Sequence, residues 1–113
     1  MNSLNFKNRK KQYFNVVLPD DTKLSVMLPT KAMMENLWEL QKEMKTDSSA
    51  VSIDDMYEMC ARFLSRNKED IEITTEQLTE QLEFEDVVTF IREFSQFMNN
   101  IFSAKNWPSL IIH

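Results

Sequence analysis

The chain has 113 residues, a net charge of −5 and no glycine, and its lone histidine and lone cysteine are His113 and Cys60. Phosphate-binding loops, dinucleotide fingerprints and nucleophile elbows need glycine. A zinc site needs several Cys or His ligands, and a catalytic triad needs an internal His. We therefore expect a non-enzymatic protein without catalytic residues, metal or cofactor. The chain has a single cysteine, and its sequence has no signal-peptide pattern and no apolar run near the roughly 18 residues of a membrane span. These features predict a cytoplasmic protein with no membrane contact.

Residues 1–11 are predicted to form a flexible basic arm. The first twelve residues carry four positive charges, at Lys7, Arg9, Lys10 and Lys11, and no acidic residue. The other nine of the 13 basic residues are outnumbered by 18 acidic residues in the body of the chain. That balance argues against a nucleic-acid-binding face on the body.

Two runs of alternating apolar residues predict an antiparallel β-hairpin over residues 12–28. Its apolar face would carry Phe14, Val16 and Leu18 from the first run and Leu24, Val26 and Leu28 from the second. Between the runs lies Pro19–Thr22, where proline presets φ and the aspartates bond back to the backbone. The apolar face of such a hairpin needs helices to cover it.

Helical periodicity follows and predicts three or four helices. The expected N-caps are Thr30, Ser52 and Thr74, and Gln77 completes a capping box with Thr74. The longest helix begins at Phe84 and runs to about Ser103. Pairs of acidic residues at helix starts are interpreted as capping groups, and Cys60 as a small buried hydrophobe.

These patterns predict an α+β fold in which an N-terminal β-hairpin packs on a bundle of three to four α-helices. A single folded domain is expected over residues 12–103. Residues 104–113 are predicted to form an apolar C-terminal tail.

An apolar stripe along the last helix is the candidate partner-binding surface. Its members are Phe90, Phe94, Phe97, Met98, Ile101 and Phe102. Aromatic stripes at helical spacing usually belong to a core, but a small domain has difficulty enclosing so wide an arc, which favours an apolar groove for a partner. We expect Phe90 and Phe94 to be mostly buried, and Phe97, Phe102 or residues 110–112 to be more exposed or covered by another subunit.

The order of elements carries a family resemblance. After the strand pair ends at Leu-Pro-Thr-Lys (28–31) come Leu-Trp-Glu-Leu-Gln-Lys (37–42), Asp-Asp-Met-Tyr-Glu-Met (54–59), Phe-Leu-Ser-Arg-Asn (63–67), Ile-Thr-Thr-Glu-Gln-Leu (73–78) and Phe-Glu-Asp-Val-Val-Thr-Phe (84–90). Over roughly residues 12–103 this layout resembles the tail assembly chaperones of siphovirus-like bacteriophages, especially those of Gram-positive hosts and their prophages.

The resemblance implies a protein that acts in the host cytoplasm and is absent from the mature virion. Such chaperones keep the tape measure protein soluble while tail tube subunits polymerise around it. Many also have a longer form, made by ribosomal frameshifting, that is thought to recruit the tail tube protein. Ala104-Lys105-Asn106 can be encoded by a slippery GCA-AAA-AAC sequence or by other codons that interrupt the A run, so a longer product that departs from this chain near residue 105 is left open.

Two other functions remain open from the sequence. One is a small acidic regulatory or inhibitor protein of a phage or bacterium that acts by protein–protein binding. The other is a binding module whose basic arm contacts nucleic acid, for which retention on DNA would depend steeply on salt. A homo-oligomer is left open in each case.

Overall fold

The computed structural model describes residues 12–46 and 52–104, without the side chains of residues 44–46 and 102–104. Its elements in chain order are β1 (Tyr13–Val17), β2 (Lys23–Met27), α1 (Lys31–Thr46), α2 (Ile53–Ser65), α3 (Thr75–Gln81) and α4 (Phe84–Ala104). The strands form an antiparallel hairpin, and the helices follow it, which confirms the predicted α+β fold. The basic arm and all but the first residue of the apolar tail lie outside the described residues.

The hairpin keeps the alternation that the sequence predicts. Phe14 lies opposite Val26 and Val16 lies opposite Leu24, so the four side chains share one face. Leu24 and Val26 are buried, whereas Phe14 and Val16 are partly buried and pack against the core. β1 therefore lies at the margin of the apolar core and β2 lies within it.

The hairpin turn uses the chemistry expected of its aspartates. The Thr22 backbone N–H donates a hydrogen bond to Asp20 Oδ1 (3.0 Å), and the Asp21 N–H donates one to the Leu18 carbonyl (2.8 Å). Asp21 has a φ of 69°, in the left-handed region that Asp tolerates better than most residues. The turn thus forms without glycine.

The predicted helix caps are confirmed. The Met33 N–H donates to Thr30 Oγ1 (3.3 Å), and Ser52 Oγ accepts hydrogen bonds from the first turn of α2. At α3 the capping box is complete, because Thr74 Oγ1 accepts from the Gln77 N–H (3.1 Å) and Gln77 Oε1 accepts from the Thr74 N–H (2.8 Å).

We expect Thr74→Ala to lower the free energy of unfolding by about 1 kcal/mol, because it leaves the Gln77 amide in the first turn of α3 without its cap. Thr79→Ala is the matched control, since the Thr79 hydroxyl is exposed inside the same helix and bonds only to the Thr75 carbonyl. Urea unfolding followed by circular dichroism measures both. Equal effects of the two substitutions would contradict the role of the cap.

Helices α2 and α4 together supply most of the apolar core. The core draws side chains from β2 and all four helices, among them Leu24, Val26, Leu37, Leu40, Met56, Cys60, Phe63, Leu64, Leu78, Val87, Ile91, Phe94 and Met98. At its centre the rings of Phe63 from α2 and Phe94 from α4 lie 5.5 Å apart. The hairpin and α2 therefore cover much of the apolar stripe of α4.

The segment after α2 pairs with the edge of β2 that faces away from β1. The Met27 N–H donates to the Arg66 carbonyl (2.8 Å), and the Lys68 N–H donates to the Ser25 carbonyl (2.9 Å). The sequence pattern predicts only a break in helical periodicity here. The structure shows that the break also forms an isolated antiparallel bridge between Asn67 and Val26, which covers this edge of β2.

Two polar side chains hold this segment in place. Asn67 is buried, its Nδ2 donates to the carbonyls of Leu64 (2.8 Å) and Ile71 (2.7 Å), and its Oδ1 accepts from the Ile71 N–H (2.9 Å). Ser65 Oγ both donates to the Ile73 carbonyl and accepts from the Ile73 N–H, each at 2.9 Å. The connector from α2 to α3 is therefore fixed by side-chain hydrogen bonds.

The Glu69 carboxylate bridges back to β2, with Oε1 accepting from the Ser25 N–H and Oε2 from the Ser25 hydroxyl, both at 2.8 Å. These backbone and side-chain hydrogen bonds lower the pKa of Glu69 from its ordinary value of 4.5. A carboxyl with a lowered pKa stabilises the fold above its ordinary pKa, and this contribution disappears as the pH falls through its pKa in the folded protein.

We therefore expect Glu69→Gln to be less stable than the wild type at pH 7 and the difference to shrink as the pH falls below about 4.5. Urea unfolding midpoints between pH 7 and pH 3 measure the difference. Ser25→Ala is the control, because it removes the hydroxyl donor but keeps the backbone donor and so loses part of the effect. A difference that is constant with pH would contradict this assignment.

Candidate functional site

Phe14 of β1 is the centre of an aromatic cluster on α4. Its ring lies 6.1 Å from that of Phe90, 5.4 Å from that of Phe94 and 5.2 Å from that of Phe97. Phe14 is absent from the residues predicted to bind a partner, although its alternation with Val16 places it on the inner face of the hairpin. The cluster fixes β1 against the middle of α4.

Three members of the predicted binding stripe are core residues. Phe94 and Met98 are each 1% exposed, and Ile101 is 7% exposed. The burial of Phe94 confirms that expectation. The structure therefore places Phe94, Met98 and Ile101 in the core, and their role in partner binding stays a prediction.

Phe90 and Phe97 are the members of the stripe that stay partly exposed. Phe90 packs against the core and is mostly buried, as expected, with its ring 6.1 Å from that of Phe14 and 5.4 Å from that of Phe94. The side chain of Phe102 and residues 110–112 lie outside the described residues. Of the five predicted residues whose side chains the structure describes, only Phe90 lines the cleft described next.

A groove of about 430 Å³ separates β1 from the first half of α4. We call it the β1–α4 groove; it is lined by Phe14, Asn15, Val16, Val17, Leu18, Pro19, Cys60, Leu64, Leu82, Asp86, Thr89, Phe90 and Glu93. Since both the inward-facing Val16 and the outward-facing Val17 line it, the groove opens along the outer edge of β1. Its volume falls within the roughly 300–1,000 Å³ typical of ligand sites.

The floor of the groove is apolar. Cys60 and Leu64 of α2 are both buried there. Burial raises the pKa of the Cys60 thiol from its ordinary 9.0 to about 12, so the sulfur stays protonated at neutral pH. Cys60 therefore acts as a small hydrophobic residue, as the sequence indicates.

Two carboxylates, Asp86 and Glu93, stand on the α4 side of the groove. They are seven residues apart, which is two helical turns and about 10 Å along the axis, so they share one face. Asp86 Oδ2 also accepts a hydrogen bond from the Glu83 N–H (2.9 Å) at the start of α4. Arg92 Nε lies 3.9 Å from Glu93 Oε2, but both side chains are largely exposed, so this ion pair is weak.

A polar contact joins the hairpin turn to the end of α3 beside the groove. Gln81 Nε2 donates a hydrogen bond to Asp20 Oδ2 (3.2 Å). Gln81 precedes Leu82 in the sequence and Asp20 follows Pro19, and both Leu82 and Pro19 line the groove. Side-chain and backbone hydrogen bonds from Thr22, with a smaller one from Gln81, lower the pKa of Asp20 from its ordinary 3.8. The Asp20 carboxylate thus links the hairpin turn to the end of α3.

Two other clefts are smaller. One of about 280 Å³ lies between α1 and α2 and is lined mainly by charged side chains; the other, of about 220 Å³, lies where Gln41 Nε2 of α1 donates to Ser95 Oγ of α4 (3.0 Å). Among residues 12–46 and 52–104, no three His, Cys, Asp or Glu side chains are placed to hold a metal ion.

No family model matches the chain, and no curated protein or solved structure is found to be similar. Within the described part of the chain, no helix is both long and apolar enough to cross a membrane. Function is therefore inferred from the β1–α4 groove together with the order of elements along the chain.

Proposed function

We propose that this protein is a phage tail assembly chaperone that binds apolar segments of a tape measure protein in the β1–α4 groove. The observation that supports this function is an open groove whose walls carry partly exposed Phe14, Val16, Leu82 and Phe90. Much of the remaining apolar surface of α4 that the structure describes is buried in the core, although Phe84 and Phe97 are also partly exposed outside the groove.

The groove has the chemistry that a soluble holder of apolar segments needs. Each large apolar side chain that a client places there gains roughly 1.5–3 kcal/mol from burial, provided that it becomes fully covered. The net charge of −5 keeps the free chaperone away from charge neutrality, which opposes its aggregation. A longer frameshifted form would add the contact with the tail tube protein.

Co-expression with the tape measure protein of the same phage or prophage tests the proposal. The informative variant is Val17→Asp, because Val17 lines the groove and is 61% exposed, so the substitution puts a charge there without opening the core. Ile53→Asp is the matched control: Ile53 is 56% exposed and lies at the start of α2, outside the groove.

We expect the wild type and Ile53→Asp to keep the tape measure protein in the soluble fraction and to co-purify with it, and Val17→Asp to lose both properties. Circular dichroism melts of the three chaperones establish that each is folded. If folded Val17→Asp retains the tape measure protein as well as Ile53→Asp does, the groove is not the binding site.

A further inference from the structure

The outer edge of β1 runs along the mouth of the groove. The Leu18 N–H bonds to the Thr22 carbonyl across the hairpin (2.9 Å), and bonded positions alternate along an antiparallel pair. The backbone N–H and C=O groups of Tyr13, Asn15 and Val17 therefore point away from β2. Within residues 12–46 and 52–104, no group forms a hydrogen bond with this edge.

Within the described residues, the outer edge of β2 is covered by another segment, whereas the outer edge of β1 is not. The edge of β2 is covered by residues 66–69, with hydrogen bonds to both Ser25 and Met27. The β1 sequence Tyr-Phe-Asn-Val-Val has no charged residue, no proline and an unbroken register with β2. Charges, prolines and bulges are devices by which proteins block strand addition, and β1 itself contains none of them.

A strand added to β1 would lie over the groove. Paired strands are about 4.8 Å apart, and alternate side chains point to the same face. One set of side chains of an added strand would therefore enter the space between Val16 and Phe90, both of which line the groove. Backbone hydrogen bonds would supply affinity, and the groove would select the alternate side chains.

We propose that the β1–α4 groove takes its client as an extended segment that adds to β1 as a strand, with apolar residues and a Lys or Arg on the face toward α4. The basic residue pairs with Asp86 or Glu93 at the groove. This inference rests on the proposed function and specifies the client segment. The segment is an extended strand with alternating apolar residues and a basic residue, and it is not an apolar helix.

Charge decides between this client and a second copy of the chain. A β1-to-β1 dimer would bring Asp86 and Glu93 of one copy toward the same carboxylates of the other, and each copy has a net charge of −5. A basic segment meets the same two carboxylates with opposite charge. Complementary charge favours specific association, whereas like charges oppose it.

The probe is the blocked peptide Val-Thr-Lys-Thr-Ile-Thr-Lys-Thr-Val, which places its two Lys on the face of its Val and Ile. These Lys are about 13 Å apart in a strand, close to the roughly 10 Å between Asp86 and Glu93 along α4. One control peptide carries Glu for Lys, and a second is N-methylated at the amides that would face β1. Binding to the full chain is measured by calorimetry and by amide exchange in NMR spectra.

We expect the probe to slow exchange of the Asn15 and Val17 amides, while those of Phe14 and Val16, already bonded to β2, change little. Asn15→Pro removes the outward-pointing backbone N–H of residue 15 but no hydrogen bond to β2. It should therefore lower the affinity for the probe by about tenfold while the hairpin stays folded. Both control peptides should bind more weakly than the probe.

Two outcomes overturn strand addition and leave the proposed function intact. One is a folded Asn15→Pro protein that binds probe and tape measure protein like the wild type while Val17→Asp binds neither. The other is a dimer of the free wild type in sedimentation that Asn15→Pro abolishes, which assigns the edge to a second copy. Tape measure binding that neither substitution weakens overturns the proposed function as well.

Discussion

Phe94→Ala will lower the free energy of unfolding by about 3–5 kcal/mol, which is among the largest losses that a single truncation causes in a core. Phe94 is 1% exposed, and its ring contacts those of Phe14, Phe63, Phe90 and Phe97 at 5.4–6.0 Å. The truncation leaves a cavity where the hairpin, α2 and α4 meet.

The matched control for this loss is Phe84→Ala on the same helix. Phe84 is 39% exposed at the first turn of α4, so its truncation should cost less than about 1 kcal/mol. Urea unfolding of the three proteins gives both differences. A Phe94→Ala protein that is as stable as Phe84→Ala would show that the aromatic cluster is not the centre of the core.

Asn67→Ala will destabilise the fold by about 2–3 kcal/mol. The side chain is 5% exposed and makes three hydrogen bonds, with the carbonyls of Leu64 and Ile71 and with the Ile71 N–H. Alanine leaves these buried or half-buried backbone groups without a partner, and each such group costs roughly 1–3 kcal/mol unless water reaches it. The loss should also free the strand-like segment from β2.

Asn100→Ala is the control, since Asn100 is exposed on α4 and its replacement should stay within about 0.5 kcal/mol. Hydrogen exchange adds a second measurement: the amides of Met27 and Lys68, which bond between β2 and this segment, should exchange faster in Asn67→Ala. Unchanged exchange at both amides would contradict the role given to Asn67.

Local signals predict the elements of this fold well. The alternation of Phe14 and Val16 against Leu24 and Val26 sets the hairpin face, and side-chain oxygens such as that of Thr74 mark helix starts, because both effects act within a few residues. The strand-like role of residues 66–69 depends on β2, about 40 residues earlier in the chain. No local pattern encodes that pairing.

The binding surface is harder to predict for the same reason. A helical stripe shows that Phe90 and Phe94 share a face, but only the packing of β1 and α2 determines that Phe94 is enclosed and Phe90 is partly exposed. Phe14 also lines the groove, but it lies on β1 and so is not part of the apolar stripe of α4. Which edge of a hairpin stays open depends likewise on what the rest of the chain covers.

Site-specific photo-crosslinking tests the groove as the client site most directly. A benzophenone amino acid replaces Val17 in one protein and Ile53 in another, both exposed positions, and each is irradiated during co-expression with the tape measure protein. Mass spectrometry then identifies the crosslinked peptides. We expect position 17 to crosslink to apolar segments of the tape measure protein and position 53 to give no such product; equal crosslinking from both positions, or none from position 17, would contradict the proposed function.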